Sequence, residues 1–371
     1  MEEIFVTKPV LPPMEEYMKY LQDIWETHNL TNVGKYTRLF MLELMDFLSA
    51  KHVLPMCNGH MALEMTLQAM ELKGEVITTP FTFASTTHAI VRNGLTPVFC
   101  DIRESDCTMD PDKIESLITD KTSAIVPVHV YGMPCDVEKI EAIAKKHNLK
   151  VIYDAAHAFG EKFNGKSSAK YGDACMFSFH ATKAFNSIEG GLSVVHDTAT
   201  LTKVYQLHNF GIMDEEHVEF VGANAKMNEF QAAMGLCNLK HFEENRLKRK
   251  DLFTYYRQRL SDIKGIRFLD YDEVRNEFNY TYCPIFIDKE TYGMDRNELF
   301  EILSYNHVHS RKYFYPIVNE FNCYKDAGFR GETPIAKKLS EEVLTLPLYT
   351  DLRLDQVKMI CDIIEANAKT K

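Results

Sequence analysis

The stretch EVITTPFTFASTTHAIVRNGLTPVFCDI, residues 75–102, sets two short runs of β-branched and apolar residues on either side of a helical segment. EVITTP (75–80) and TPVFCDI (96–102) have the length and the Val, Ile and Thr content of buried strands, whereas Ser85 to Arg92 between them follows a helical pattern. Strand, helix, strand is the repeating unit of a parallel sheet, because parallel neighbours need a long crossover. The pattern continues on both sides. Upstream, GHMALEMTLQAMEL (59–72) places Ala62, Met65, Ala69 and Leu72 on one helical face. Downstream come a helix near 111–118, the strand TSAIVPVHV (122–130), a helix at 137–147 capped by Asp136, and the strand KVIYDAA (150–156). Strands that are apolar throughout and separated by helices predict an α/β fold with a mostly parallel central sheet and helices on both faces.

From about Asn224 the pattern becomes long and helical, and a smaller α/β portion follows, with TYCPIFI (281–287) as a strand and residues 353–369 as a closing helix. This predicts a large domain at 1–245 and a smaller C-terminal α/β domain at 246–371. A chain of 371 residues is long enough for both. The net charge of −11 argues against broad binding of nucleic acid, which needs dense Lys/Arg contact with phosphates. The basic run RLKRK (246–250) follows Glu243 and Glu244 on a helix and reads as a solvated face. Nine cysteines without a CxxC pair predict reduced thiols, mostly small core residues, and no zinc site. No window approaches the roughly 20 apolar residues of a membrane span, and MEEIFVTKPV lacks the basic start of a signal peptide, so a cytoplasmic location is expected.

Open parallel sheets bind ligands beyond the carboxyl ends of their strands. Four segments occupy such positions: CNGH (57–60), TTPFTFAST (78–86), DAAH (154–157) and FSFHATK (177–183). Asp154 ends an apolar strand, where a carboxylate is costly to bury without a partner, and it is suited to holding a cationic ring nitrogen. Gly59 opens a helix whose first amides favour an anion, although an Asn-Gly turn is more often only a turn. Phe81 and Phe83 follow a strand; such aromatics are usually core, but one of them can stack on a planar ring. His157 and His180 read equally well as satisfied core histidines. Lys183 lies in FSFHATKAFNSIEGG (177–191), between an apolar run and a glycine turn expected to leave room for a large group. A lysine of lowered proton affinity can attack a carbonyl and form a Schiff base. Together the four segments would hold an aldehyde cofactor: Lys183 its carbonyl, Asp154 its ring nitrogen, the helix start at Gly59 its phosphate, and an aromatic its ring face.

With these residues in place, the chain resembles the DegT/DnrJ/EryC1/StrS family of sugar aminotransferases, which are pyridoxal-phosphate enzymes of the type I, aspartate-aminotransferase fold. The resemblance runs through LTN (30–32), TTPFTF (78–83), PVHVYG (127–132), YDAAHAFG (153–160), FSFHATK (177–183), GANAKMNEFQAAMG (222–235), RKYFYP (311–316) and LPLYTDL (346–352). It implies that Lys183 bonds to the cofactor and carries protons in catalysis, that Asp154 pairs with the pyridinium nitrogen, and that Phe83 stacks on the ring. It also implies that His157, a position often occupied by glutamine, contacts the cofactor from the other side, and that Ser178 with the amides of Gly59 and His60 binds the phosphate. Asn224 would reach the phosphate of a neighbouring subunit, which implies a homodimer with shared active sites. Two positions depart from the family pattern: Asn58-Gly59-His60 where Ser-Gly-Thr is common, and Lys226 where arginine is usual. The implied reaction moves an amino group from L-glutamate to a dTDP-linked 4-keto-6-deoxyhexose in amino-sugar or surface-polysaccharide biosynthesis, with 3-keto isomers as the alternative. Lys35, Arg311 and Tyr313 are candidates for the substrate. Lysine rather than histidine at 183 favours transamination over the family's dehydratases, and the chain shows no helix-turn-helix pattern of a regulator.

Overall fold

A computed structural model of the chain describes residues 2–369. Its strands are β1 (Ile4–Phe5), β2 (His52–Met56), β3 (Glu75–Thr78), β4 (Thr96–Phe99), β5 (Thr122–Val126), β6 (Lys150–Asp154), β7 (Lys162–Phe163), β8 (Lys166–Ser167), β9 (Ala174–Ser178), β10 (Gly191–Val195), β11 (Ile266–Arg267), β12 (Asn276–Glu277), β13 (Cys283–Ile287), β14 (Val308–His309) and β15 (Val343–Leu346). Seven form the central sheet in the order β2-β10-β9-β6-β5-β3-β4. All run parallel except β10, which is antiparallel to both β2 and β9. The sheet is therefore mostly parallel, as expected, but β2 and β10 lie outside the strands the pattern predicts. HVLPM at β2 carries a proline, and GLSVV at β10 is a five-residue run that itself begins on the second of two adjacent glycines.

Side chains alternate between two cores, which is the signature of a sheet covered on both faces. Ile77, Ile125, Val151, Tyr153, Cys175 and Phe177 enter one cluster. Val76, Ala124, Val126, Ile152, Ala174 and Met176 enter another, beneath the helix α3 (Gly59–Ala69). Among the described residues all nine cysteines are unpaired with one another, seven are buried as small core residues, and only Cys323 is exposed.

The helices are set by their caps. Asn58 accepts a hydrogen bond from Met61 N at 2.8 Å and so starts α3. Asp136 does the same for the helix Val137–His147, accepting from Lys139 N at 3.2 Å. The helix Lys35–Phe47 has Gly34 at its N-cap and borrows its cap from far along the chain. The buried Glu229 carboxylate accepts from Tyr36 N at 2.6 Å, Thr37 N at 3.1 Å and Thr37 Oγ1 at 2.6 Å.

The predicted long helix from Asn224 is two helices that begin later, Glu229–Lys240 and Phe242–Leu260. The second starts with Phe242 in a core of the large sheet and ends with Phe253, Tyr256 and Leu260 in the core of the C-terminal residues. A three-stranded antiparallel sheet, β11-β13-β15, supports that C-terminal core, and β1 pairs with β14 beside it. The run at 246–250 is only partly a solvated face. Arg246, Lys248 and Lys250 pair with Glu243, Glu244 and Glu273, but Arg249 is buried and donates to Asn279 O at 3.0 Å, because its position on the helix turns it inward.

Candidate active site

The parallel strands deliver their carboxyl ends to one edge of the sheet, and the predicted residues collect there. Asp154 is the last residue of β6 and Ser178 the last of β9; Gly59 and His60 follow β2, and Phe83 follows β3. Lys183 lies in the turn after β9, and that turn is held from several directions. Lys183 N donates to His180 O at 2.9 Å and Ser187 N to Phe179 O at 2.9 Å. Ala184 N donates to Thr281 Oγ1 at 3.2 Å, and the Asn186 side chain donates to Val10 O at 2.9 Å.

The electrostatics at this edge are those of buried, opposed charges. Burial pulls the Lys183 amine down to about 8, while the charges of Asp154 and Tyr313 act to keep its proton on. The amine donates to the Tyr282 hydroxyl at 3.4 Å. Asp154 is only 3 % exposed, and burial raises its pKa. Thr86 Oγ1, donating at 2.7 Å, and Ala156 N, donating at 3.1 Å, pull the other way, as does the charge of Lys183. A carboxylate placed in this way can stabilise a nearby cation.

His157 is buried, and burial followed by the charge of Lys183 holds it well below its usual pKa, so it is a neutral imidazole. Its Nδ1 accepts from Tyr131 N at 2.9 Å, which leaves the proton on Nε2 as a free donor. Phe314 stacks on its ring at 5.9 Å and Tyr282 meets it edge-on at 5.0 Å.

At the start of α3 the Asn58 side chain takes Met61 N, so among the described residues the amides of Gly59 and His60 have no protein acceptor. Open N–H groups at a helix N-terminus can receive an anion, and these two lie beside Ser178. A Cβ at Gly59 would lie 2.9 Å from Ser178 Cβ and 3.1 Å from its Cα, so the turn and the end of β9 are in direct contact. The His60 side chain turns away, pairing with Ser85 Oγ at 2.9 Å and Glu64 Oε2 at 3.1 Å. Phe83 is 61 % exposed at the N-cap of the helix Ala84–Arg92 and leaves a large apolar face open. Phe81, by contrast, is core.

The space expected beside the Glu-Gly-Gly turn is taken by the protein itself. A Cβ at Gly191 would lie 2.4 Å from Asn58 C and O, and one at Gly190 would lie 2.1 Å from Ser187 Oγ. His180 pairs with Thr182 Oγ1 at 2.8 Å and with Glu189 Oε1 at 3.4 Å. Asn224 is exposed, and its Oδ1 accepts from Lys226 Nζ at 2.8 Å; Lys226 also reaches Asn209 Oδ1 at 2.6 Å. Tyr313 borders the lysine through Tyr282, with ring centroids 5.8 Å apart, and Arg311 is exposed two residues before it. Lys35 stands elsewhere, at the start of its own helix in an exposed ion pair with Asp23 at 2.9 Å.

Three residues at this edge escaped the sequence reading. Thr86 lies one helical turn beyond Phe83. Tyr282 belongs to a run that reads as ordinary strand, and Asn279, which donates to His157 O at 2.8 Å and Phe159 O at 3.1 Å, sits just before it.

The residues fit pyridoxal phosphate: two open amides for a phosphate, a lysine of depressed pKa for an aldehyde, a buried carboxylate for a protonated ring nitrogen, and an open aromatic face. The sequence profile described as the DegT/DnrJ/EryC1/StrS aminotransferase family matches residues 13–365. Two proteins called dTDP-4-amino-4,6-dideoxy-D-glucose transaminase are similar over nearly their whole length. The one from Shigella dysenteriae is 41 % identical over 97 % of this chain and 98 % of its own. The one from Escherichia coli is 42 % identical over 97 % of each. The crystal structure of DesI in the presence of its TDP-sugar product superposes with a TM-score of 0.94 at 34 % identity, covering 99 % of this chain and 93 % of that one.

Proposed function

This chain belongs to the DegT/DnrJ/EryC1/StrS aminotransferase family, and on that premise we propose that it transfers an amino group from L-glutamate to a dTDP-linked 4-keto-6-deoxyhexose, giving the 4-amino-4,6-dideoxy sugar. The observation that carries this reading is the full-length identity of 41–42 % to two transaminases of that name. The site supports it, because Lys183, its amine pulled down to about 8 by burial, and the buried Asp154 carboxyl stand together at the sheet edge.

In this reading the amides of Gly59 and His60, with Ser178, hold the phosphate of pyridoxal phosphate. Asp154 holds the ring nitrogen, Phe83 covers one ring face, and His157 donates from Nε2 on the other side. When bound, the cofactor supplies a carbon that exchanges amines and a protonated ring that delocalises the electrons released when a Cα–H bond breaks. The chain supplies the rest. Lys183 Nζ, largely neutral above about pH 8, takes the proton from the donor's Cα and delivers it to the neighbouring carbon, acting as base and then as acid. The Asp154 carboxyl, whose ionised form Thr86 and Ala156 N favour against the opposing effect of burial, would hold a proton on the ring nitrogen. The two half-reactions use the same lysine in opposite directions, and ping-pong kinetics follow.

Tyr313 and Arg311 lie closest to this chemistry among the substrate candidates, and exposed Arg311 suits a diphosphate. Lys35, in its ion pair with Asp23, is the other basic candidate for the diphosphate, and in the proposed homodimer Asn224 completes the partner's phosphate site. Residues 1–245 then form the cofactor domain and 246–371 the smaller one, in an enzyme working in the cytoplasm on precursors of surface polysaccharide. Among the described residues no helix is long and apolar enough to cross a membrane.

The test is incubation with L-glutamate and, separately, 3-keto and 4-keto dTDP-6-deoxyhexoses, with the position of the new amine read by NMR. Amination at C4 is expected. Amination at C3 would assign the isomeric activity, and loss of water without amination would overturn transamination.

A further inference from the structure

The segment entering β13 touches each piece of chain that shapes the lysine's surroundings. Asn279 N donates to Glu161 Oε1 at 3.0 Å, and its side chain holds the carbonyls of His157 and Phe159. Thr281 Oγ1 accepts from Ala184 N, next to the lysine. Tyr282 is 4 % exposed, with its ring edge-on to His157, Tyr131 and Tyr313 at 5.0, 6.2 and 5.8 Å. Packing on three sides fixes that ring, so its hydroxyl has little freedom of position. The hydroxyl receives Lys183 Nζ at 3.4 Å, and the amine lies 5.7 Å from the ring centroid.

We propose that Tyr282 is a positioning residue for Lys183, its hydroxyl being the acceptor on which the amine rests whenever that amine is not bonded to the cofactor. The inference rests on the reading of Lys183 given above. A transaminase must release its lysine and recapture it in every cycle, and a long flexible side chain released without a partner would sample many rotamers. A fixed acceptor within hydrogen-bond reach keeps Nζ near the carbon it must attack again. The other titratable groups facing the amine are Asp154 at the end of β6, neutral His157 in the turn after it, and Tyr313 in the loop before Phe314. Among the described residues only Tyr282 accepts a hydrogen bond from it.

The test measures the proton affinity of the free amine in the full-length protein stripped of cofactor. Trace acetylation with isotopic acetic anhydride across a pH series, read on the Lys183 peptide by mass spectrometry, gives the midpoint. Tyr282→Phe keeps the packed ring and removes only the acceptor of a charged donor. The midpoint is expected to fall by about half to one pH unit, since such bonds favour the protonated amine. Thr281→Val loosens the same segment without touching the amine and is expected to leave the midpoint in place. An unchanged midpoint in Tyr282→Phe, or an equal shift in Thr281→Val, overturns the proposal. The measurement needs no cofactor, so a protein that failed to bind pyridoxal phosphate would sink the functional reading and leave this one standing on its own result.

Discussion

Removal of one hydroxyl tests what favours the ionised form of Asp154. Thr86 donates to its carboxylate at 2.7 Å and is itself linked to Thr82 Oγ1 at 2.9 Å; apart from Ala156 N, it is the only hydrogen-bond donor to the buried group among the described residues. A hydrogen bond to a charged partner contributes roughly 1.5–3 kcal/mol, which corresponds to about 1–2 pH units of proton affinity. Thr86→Val keeps the branched shape and deletes that donor. Burial already raises the Asp154 pKa above its ordinary value. Its ionisation therefore costs the fold nothing at low pH and an increasing amount as pH climbs through the folded-state value. The variant raises that value further, so the gap in stability between the two proteins opens as pH rises and reaches roughly 1.5–3 kcal/mol above the variant's own pKa. The orphaned Thr82 hydroxyl adds about 1 kcal/mol at every pH. Urea unfolding of the cofactor-free protein at about pH 5 and about pH 8 separates the two contributions. Equal destabilisation at both would refute the argument that Thr86 serves the ionised carboxylate.

Other changes at the site have distinct readouts. Lys183→Ala should abolish the visible absorbance band that the protein shows with pyridoxal phosphate, and a band that survived would remove the lysine from its role. Gly59→Ala sets a methyl 3.1 Å from the backbone of Ser178; it should weaken cofactor binding by about tenfold or more in an equilibrium titration. Asn58→Ala leaves Met61 N without its cap and should cost about 1 kcal/mol in chemical unfolding. Glu229→Gln turns an amide toward donors now satisfied by a carboxylate, and a loss of about 2–3 kcal/mol is expected in the same assay.

The alternation between residues 59 and 156 was legible because each strand is apolar on both faces and a helix can announce itself with a cap such as Asp136. β2 and β10 were not legible, since a proline-bearing pentamer and a short run that begins on a glycine carry no period, and the reversed direction of β10 is decided by its neighbours. The rule that parallel sheets work at their carboxyl ends brought Asp154, Gly59 and the pair Phe81 and Phe83 into view without any contact being known, whereas Ser178 and the choice of Phe83 came from the family resemblance. Thr86 and Tyr282 stayed hidden for a physical reason: their importance lies in which residues they approach, and Thr86 meets Asp154 across 68 positions of sequence. Arg249 was misread because charge in a sequence says nothing about which side of a helix faces inward.

The placement of β10 has a consequence for the order in which this protein can be made. Among the described residues β2 pairs with no strand but β10, apart from a single bridge from Met56 to Lys226, and the turn carrying Gly59 leans on Gly191 at the start of that strand. During synthesis, the segment from His52 to Gly59 emerges early and must wait for residues 191–195 before it has a strand to pair with. Until then the helix start that would grip a phosphate is not docked beside Ser178. Loading with cofactor thus becomes a report that the sheet has closed, and a chain interrupted before β10 would have no finished site with which to capture it.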